Sequence, residues 1–251
     1  MSYSNKKYAS IYDSIYSNKN YLKEAEYIVK NIKIKNRKAK NILDLGCGTG
    51  IHAYLFAKKG YKTVGVDISK SMINEAKKKY KLDKNLKFIH GDLKKLNLRK
   101  KFDVIVALFD ILSFQISNSE ISQFFKTINK HINKGGLIFF DFWFKNTVIK
   151  LKPIQRTKII ENKKYKIFKI TSPNWNKDKN IVKVNYKILI QNTLNNRLDF
   201  LKGFHVMRYY GFKEINKYLK NYNIKLLKYL TILDNKIKKN SWSVFVIAKK
   251  S

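Results

Sequence analysis

Cysteine is almost absent from this sequence. Cys47 is the single cysteine in 251 residues, so no intramolecular disulfide can form. Its neighbours offer no spacing of metal-ligating residues, and we predict no metal site. Cys47 is most simply interpreted as a small buried residue.

Proline and long apolar runs are also scarce. Only two prolines occur, and no glycine- and serine-rich linker is visible, which favours one domain over two. The first residues, 1–7, lack the apolar segment of a secretory signal, and no apolar run approaches the length of a spanning helix. We therefore predict a cytoplasmic, soluble protein with no membrane partner.

Acidic residues are few: 17 Asp and Glu stand against 54 Lys and Arg, which gives a net charge of +37. Such a charge suggests nucleic acid as a partner. However, lysine supplies nearly all of it, whereas nucleic-acid readers favour arginine for bidentate contacts. The arginines are Arg37, Arg99, Arg156, Arg197 and Arg208. A solvated lysine surface that reflects coding bias is the favoured interpretation, a nucleic-acid groove stays open, and an acidic small substrate is compatible with both.

Glycine is also uncommon, yet three of the 10 glycines fall within one turn. The stretch 41–50 holds a short apolar run without helical periodicity, then Gly46, Gly48 and Gly50, and an amphipathic stretch follows. This pattern predicts a strand, a glycine turn and a helix. Glycine permits positive φ and lets backbone amides approach a ligand closely at a helix N-terminus. We therefore predict a polar, nucleoside-containing ligand at this turn.

A dinucleotide site is the nearest alternative, because its pattern G-x-G-x-x-G also joins a strand to a helix. Here Ile51 stands where the third glycine of that pattern belongs. The pattern G-x-G-x-G instead resembles motif I of the class I S-adenosylmethionine-dependent methyltransferases.

Later segments resemble the same family in the same order. Residues 63–68 resemble strand two, whose terminal acid, Asp67 here, binds both ribose hydroxyls in the family. Residues 88–93 resemble strand three, with Asp92 as the acid that the family directs at the adenine amino group. Residues 102–108 resemble strand four, and residues 134–141 resemble the turn into strand five.

The resemblance implies S-adenosylmethionine as the cofactor. It also implies a set of cofactor-binding residues drawn from the N-terminal segment, the glycine turn and the strand ends. These residues are Tyr12, Tyr21, Asp44, Gly46, Cys47, Gly48, Gly50, Asp67, Ile68, Met72, Gly91, Asp92, Leu93 and Leu108. His52, just after the turn, is interpreted as a partly exposed surface residue, with a hydrogen bond near the methionine end of the cofactor as the alternative.

The segment 12–21 resembles the N-terminal lid of bacterial sugar methyltransferases, including those that methylate amines on nucleotide-linked deoxysugars. In that group, tyrosines from this segment close over the cofactor and the acceptor, which implies a substrate contact for Tyr16. The alternative is that these tyrosines only pack a helix against the sheet. A helix capped by Asn20 is predicted to follow.

Candidate catalytic and substrate residues follow strands four and five. The amino-sugar enzymes often carry a histidine in the loop after strand four, but this chain has Phe114 there. Asp110 is the ionisable side chain of that loop and a candidate base, with a helix cap or a lysine partner as the alternative. Trp143 suits stacking on a substrate and suits core filling equally.

From about residue 156 to residue 208, strand patterns follow one another without helices, with a turn expected at 172–174. The resemblance implies that this insertion covers the acceptor pocket. His205 and Arg208 align with a basic pair of the family, so His205 is a second candidate base and Arg208 a candidate substrate contact. Being three apart on a strand, they face opposite sides.

These patterns predict an α/β fold, a Rossmann-like seven-stranded methyltransferase sheet with an antiparallel β platform inserted after strand five. One methyltransferase domain is expected over residues 1–251. Its predicted parts are an N-terminal lid (1–40), a cofactor-binding core (41–150), the insertion (151–210) and a C-terminal helix with a strand hairpin (211–251). Ser69 and either Asn118 or Ser119 are predicted to cap helices of the core.

We predict an S-adenosylmethionine-dependent methyltransferase that acts on an N or O atom of a nucleotide-linked sugar or cell-envelope precursor. Transfer from a sulfonium requires mainly positioning, and an amine needs only to arrive unprotonated, whereas an alcohol usually needs a base or a metal. Nitrogen is therefore favoured. The alternatives are an RNA methyltransferase, although the Asn/Asp-Pro-Pro-aromatic sequence is missing after strand four, and a non-catalytic cofactor-binding protein. Monomer and homodimer both stay open.

Overall fold

The computed structural model describes residues 5–232, 234 and 236–251. Helices and strands alternate through the first part of the chain, and four consecutive strands follow. The helices are α1 (Lys6–Ile15), α2 (Tyr21–Lys35), α3 (Ile51–Lys58), α4 (Lys70–Lys79), α5 (Asn118–His131), α6 (Lys145–Leu151) and α7 (Phe212–Asn221). The strands are β1 (Asn41–Leu45), β2 (Lys62–Asp67), β3 (Leu86–His90), β4 (Phe102–Ala107), β5 (Ile132–Trp143), β6 (Arg156–Glu161), β7 (Tyr165–Asn176), β8 (Ile181–Asn192), β9 (Leu198–Arg208), β10 (Ile224–Leu230) and β11 (Ser243–Lys250).

A seven-stranded sheet in the order β10-β11-β5-β4-β1-β2-β3 forms the centre of the fold. The strands from β1 to β5 pair in parallel, and β11 enters antiparallel between β5 and β10. Parallel strands are buried on both faces, which explains why β1 is an apolar run rather than an alternating one. The predicted Rossmann-like sheet with its reversed C-terminal hairpin is confirmed.

Helices cover both faces of this sheet. On one face, the apolar stripe of α5 around Phe125 packs with α7 against β4 and β5. On the other face, α2 places Ile28 and Ile32 against Val104 and Phe139. These helices bury apolar residues at helical spacing, as expected for amphipathic helices on a sheet.

The inserted strands form a second sheet, antiparallel and four-stranded, in the order β6-β7-β8-β9. The predicted platform is thereby confirmed, but the predicted turn at residues 172–174 is wrong. That segment continues β7, with Pro173 paired to Val184. β6 pairs with β7 only as far as Thr171, so beyond that point β7 is an edge strand and the missing N–H of Pro173 breaks no ladder.

Helix α1 lies between the two sheets. Its buried residues Tyr8, Ile11 and Ile15 belong to one apolar cluster with Ile188 of β8 and Met72 of α4. The N-terminal segment therefore connects the inserted sheet to the helix that follows β2.

Two of the predicted helix caps are confirmed and one is wrong. Asn20 and Ser69 accept hydrogen bonds from backbone amides at the start of α2 and α4. For α5 the cap is Ser117, not Asn118 or Ser119, because Ser117 has extended backbone and exchanges hydrogen bonds with Glu120 in a capping box.

Within the described residues, none of the helices has both the length and the apolar character that crossing a membrane requires. The division of the chain into a single domain with the four parts given above stays a prediction.

Candidate active site

The glycine turn after β1 is a tight loop fixed to the neighbouring strand. The amides of Gly46 and Cys47 both donate to the Val66 carbonyl, at 2.7 and 3.0 Å. Gly50 has a φ of +85° and precedes α3, and a Cβ there would lie 2.4 Å from the Phe88 ring. No other residue type fits this position without strain and displacement, which accounts for the glycine.

Asp67, at the end of β2, anchors the turn. Its carboxylate accepts the Gly48 amide at one oxygen and the Ser69 amide at the other, each at 2.8 Å. Burial raises the pKa of Asp67, and the two amide hydrogen bonds oppose that rise. Each carboxylate oxygen keeps a further lone pair that can accept a hydroxyl of a bound ribose.

Asp44, in β1 beneath the turn, is almost fully buried. Within the described part of the chain, its Oδ2 has no hydrogen-bond partner. Burial, together with the nearby charge of Asp67, raises the pKa of Asp44 to about 8. A buried acceptor without a donor indicates that a ligand supplies one, because such groups are otherwise paired.

A cavity of about 420 Å³ extends from the turn to the inserted sheet. This volume lies in the range of small-molecule sites. Most of the predicted cofactor residues line it. They are Tyr12, Tyr21, Asp44, Gly46, Cys47, Gly48, Asp67, Ile68, Met72, Asp92, Leu93 and Leu108.

Two predicted cofactor residues do not reach the lining. Gly50 lies behind it as the N-cap of α3. Gly91 donates its amide to the Asp67 carbonyl at 2.9 Å. Both glycines shape the backbone around the cavity instead of facing it.

Four of the predicted catalytic and substrate residues also line the cavity, namely Tyr16, Asp110, Trp143 and His205. Arg208 does not. Its guanidinium binds Glu214 at 2.6 Å and Asn118 at 2.9 Å, outside the cavity. The alternation of side chains along β9 explains the separation, since His205 faces the cavity and Arg208 the other side.

Asp110 belongs to a strained loop held by a second carboxylate. Phe109 and Asp110 have φ values of +67° and +63°, and both donate their amides to Asp141, at 3.1 and 2.6 Å. The Asp110 carboxylate accepts the Trp143 indole N–H at 3.2 Å and the Ser243 hydroxyl at 2.6 Å. Backbone strain of this kind needs surrounding support, and here Asp141 supplies it.

The two carboxyl groups of this loop are both buried. Burial raises the pKa of Asp110, and burial together with the Asp110 charge raises the pKa of Asp141 well above its usual range. Asp141 therefore holds a proton in preference to Asp110. Asp110 lies at the cavity wall, whereas Asp141 does not line it.

His205 is surrounded by aromatic rings. Its imidazole centroid lies 5.0 Å from Tyr186 and 6.1 Å from Phe114. Burial and the positive charge of Lys169 lower the pKa of His205 to about 3. A group with that pKa is a poor proton acceptor near pH 7, so the surroundings of His205 suit hydrogen bonding and packing better than the predicted role of base.

On the inner face of the inserted sheet, the sequence interpretation found His205 and missed the other residues. Three strands each place two residues, two positions apart, against the cavity. These pairs are Lys169 and Thr171, Val184 and Tyr186, and His205 and Met207. Period-two spacing could have found them once the strands were predicted. Tyr8, also missed, precedes Tyr12 by one helical turn and stacks on Tyr186 at 5.6 Å.

His52 is buried, so its interpretation as a surface residue is wrong. Its Nε2 lies 2.9 Å from Glu24 Oε2 on α2, and Glu24 also binds Lys19. Burial lowers the pKa of His52. The contact with α2 explains the burial, because the sequence of α3 alone does not show which helix covers it.

Comparison with known proteins gives a family match for the central part of the chain. Residues 42–136 match the model of a methyltransferase domain. A curated relative is the dTDP-3-amino-3,4,6-trideoxy-alpha-D-glucopyranose N,N-dimethyltransferase of Streptomyces venezuelae, 29% identical over 143 residues. The match covers 56% of this chain and 59% of that relative, so the chain spans little more than half the length of curated relatives of this kind.

Solved structures extend the likeness of fold to nearly the whole chain. A S-adenosylmethionine-dependent methyltransferase from Clostridium acetobutylicum superposes with a TM-score of 0.84 at 23% identity, covering 98% of both chains. DesVI of Streptomyces venezuelae superposes with a TM-score of 0.83 at 17% identity, covering 97% of this chain and 98% of its own. At these identities the superpositions establish the fold. The predicted resemblance is confirmed to this extent: residues 42–136 match a methyltransferase domain, and nearly the whole chain has the fold of solved S-adenosylmethionine-dependent methyltransferases.

Proposed function

We propose that the protein transfers a methyl group from S-adenosylmethionine to a small acceptor, most simply an amine nitrogen of a nucleotide-linked sugar or related envelope precursor. One observation carries the proposal. A single cavity joins the glycine turn to the Asp110 loop and the inner face of the inserted sheet. A cofactor at one end and an acceptor at the other would therefore face each other inside one cavity.

The residues at the glycine turn fit the cofactor. The Asp67 carboxylate has lone pairs left to accept the ribose hydroxyls. The Asp44 oxygen without a partner can accept a hydrogen bond from an ammonium group of the ligand. At Gly48 the backbone faces open space, which leaves room for the ligand. When bound, S-adenosylmethionine supplies an electrophilic methyl group on a sulfonium. The chain's own residues fix the ligand and exclude water around it.

The acceptor end favours nitrogen over oxygen. An amine that arrives neutral needs no base before transfer and loses a proton only afterwards. Asp110, whose carboxylate is held by Trp143 and Ser243 at the cavity wall, is placed to take that proton. An alcohol would need deprotonation first, for which His205 with its low pKa is poorly suited.

The named relative supports the acceptor class. That enzyme is an N,N-dimethyltransferase of a dTDP-linked amino sugar. Since the chain matches little more than half of it, the acceptor of this protein is part of the proposal. A cytoplasmic location also belongs to the proposal, and an RNA acceptor is the alternative that the test must exclude.

The first test is calorimetric titration with S-adenosylhomocysteine. We expect wild type to bind it, and Asp67→Ala to weaken binding more than 100-fold, because the Gly48 and Ser69 amides lose their acceptor and so does the ribose of the ligand. Asp178→Asn, which removes an exposed carboxylate from the β7–β8 turn, is the matched control and should bind as wild type does.

The second test measures methyl transfer to dTDP-linked amino sugars, to the matching hydroxyl sugars and to total RNA. We expect the dTDP-linked amino sugar to gain one or two methyl groups on its nitrogen. Transfer to RNA alone would replace the proposed acceptor with the RNA alternative. Failure of wild type to bind S-adenosylhomocysteine would contradict the proposal that the protein is a methyltransferase.

A further inference from the structure

Lys169 stands out among the charged groups that line the cavity. It lies on the inner face of β7 and is only 8% exposed. Its Nζ donates to the Tyr16 hydroxyl at 3.2 Å and lies 5.0 Å from the centre of the Tyr16 ring. Within the part of the chain that the structure describes, it contacts no carboxylate.

Neighbouring lysines differ from Lys169 in this respect. Lys94, the other lysine on the cavity wall, pairs with Glu120. Lys7 of α1 pairs with Asp199, and Lys79 of α4 pairs with Asp13 of α1. A buried cation is normally paired, because taking it out of water is costly without an opposite charge.

The distribution of charge along the cavity shows where an anion would go. Of the carboxylates that line the cavity, Asp44, Asp67 and Asp92 lie in or just after β1, β2 and β3, Asp110 follows β4, and Glu120 is paired with Lys94. At the opposite end, aromatic side chains of α1 and of the inserted sheet surround Lys169. A ligand group at that end therefore meets an uncompensated positive charge inside an aromatic wall.

We propose that Lys169 and the Tyr16 hydroxyl form an anion subsite that binds a phosphate oxygen of the acceptor. The Lys169 ammonium keeps donors free after its one hydrogen bond to Tyr16, and a bond from it to an oxyanion is charge-assisted. The subsite rests on the proposed function and narrows its substrate class to acceptors that carry a phosphate, as sugar phosphates and nucleotide-linked sugars do.

The experiment titrates the S-adenosylhomocysteine-loaded protein with dTDP, glucose 1-phosphate and inorganic phosphate. We expect Lys169→Met to raise the Kd of the tightest of these probes about 10- to 100-fold. Lys169→Arg should restore most of the affinity, since it keeps the charge. Lys187→Met, on the exposed face of the neighbouring strand β8, removes the same charge from the surface and should bind as wild type does.

The probes also distinguish the sources of the phosphate. Tighter binding of dTDP than of glucose 1-phosphate supports the subsite with a nucleoside diphosphate as its ligand, and equal binding supports it with a single phosphate. Tyr16→Phe removes only the hydroxyl and should weaken the same probe several-fold. It also serves as the second variant in case Lys169→Met fails to fold.

Two results of the binding experiment would overturn the subsite. One is that the loaded wild type binds none of the three probes, and the other is that Lys169→Met binds them as wild type does. Equal kcat/KM for a free amino sugar and its dTDP-linked form would also reject the subsite while leaving the methyltransferase proposal intact. Loss of S-adenosylhomocysteine binding in wild type would instead reject the proposed function itself.

Discussion

The two ends of the cavity differ in chemistry and in how the chain builds them. The cofactor end consists of a glycine turn and buried carboxylates, and its central hydrogen bond, from Gly48 to Asp67, joins residues only 19 apart. The acceptor end is aromatic and carries the cation of Lys169, whose bond to Tyr16 spans 153 residues. A local motif therefore fixes one ligand, while long-range packing shapes the site for the other.

The most severe change to the cofactor end should be Gly50→Ala. The new Cβ would lie 2.4 Å from the Phe88 ring at a φ of +85°, so we expect a loss of about 3 kcal/mol or more in the free energy of unfolding. Cofactor binding should be lost as well. Urea unfolding and titration with S-adenosylhomocysteine measure the two effects.

Gly60→Ala is the matched control, because Gly60 has a φ of +92° but open space around a Cβ. It should lose only about 1–2 kcal/mol from backbone strain and keep cofactor binding. Equal losses in the two variants would show that strain alone, and not the packing of the turn on Phe88, requires glycine.

The second change tests the buried charge of the cofactor end. The pKa of Asp44 is about 8 in the folded protein and about 4 in an unfolded chain. Between these values the folded state binds a proton that the unfolded state has released. The free energy of unfolding of the cofactor-free protein should therefore fall as pH rises from 5 to 8, by up to about 1.4 kcal/mol per pH unit from this group.

Asp44→Asn should flatten this dependence and stabilise the cofactor-free protein at pH 8, since no carboxylate has to ionise in the core. Asp67 and Asp110 contribute slopes of the same sign, because burial raises the pKa of both. Urea unfolding at pH 6, 7 and 8 provides the comparison, with Asp178→Asn as the control. A slope in Asp44→Asn as steep as in wild type would contradict the assignment.

The third change tests the junction between the two ends. Ser243→Ala removes the hydroxyl that donates to the Asp110 carboxylate at 2.6 Å. Because that hydrogen bond lowers the pKa of Asp110, the pKa should rise further without it. We expect kcat to fall about tenfold at neutral pH, with the acidic limb of the pH–rate profile moved to higher pH.

Affinity for S-adenosylhomocysteine should stay unchanged in Ser243→Ala, since Ser243 does not line the cavity. Ser241→Ala, in the same terminal region and bonded to Thr231 and Lys238, controls for packing. If the acidic limb keeps its position in Ser243→Ala, Asp110 is not the group that takes the proton.

The smallest effect is expected where α1 joins the two ends. The Thr49 hydroxyl donates to the Asp13 carboxylate at 2.5 Å. Thr49→Val should reduce the free energy of unfolding by about 1 kcal/mol and weaken S-adenosylhomocysteine binding several-fold, because α1 covers the cavity less firmly. Ser10→Ala, which removes an exposed hydrogen bond within α1, should change neither quantity. A loss of stability without any loss of binding would show that the contact of α1 with Thr49 does not contribute to cofactor binding.

Much of the cofactor end could be predicted from the sequence. The glycine turn, Asp67 and Asp92 occur at strand ends, and parallel strands bring their carboxyl ends to one edge of the sheet. The acceptor end was harder, and the residues there show why. Tyr16, Asp110, Trp143 and His205 were predicted one at a time. Lys169 and Tyr186 were missed, because their period-two spacing identifies a cavity wall only once it is known which face of the inserted sheet packs over the cavity.

The sequence by itself determined the order of strands and helices, the glycine turn and the acids that follow the strands. Apolar periodicity and glycine at positive φ are local properties, so they can be predicted without knowing the neighbours. The tertiary structure decided that His205 faces the cavity and Arg208 does not, that His52 is buried on Glu24, and that Lys169 has Tyr16 as its hydrogen-bond partner. Those outcomes depend on the register of β7, β8 and β9 and on the packing of α1 between two sheets, which many weak contacts fix together.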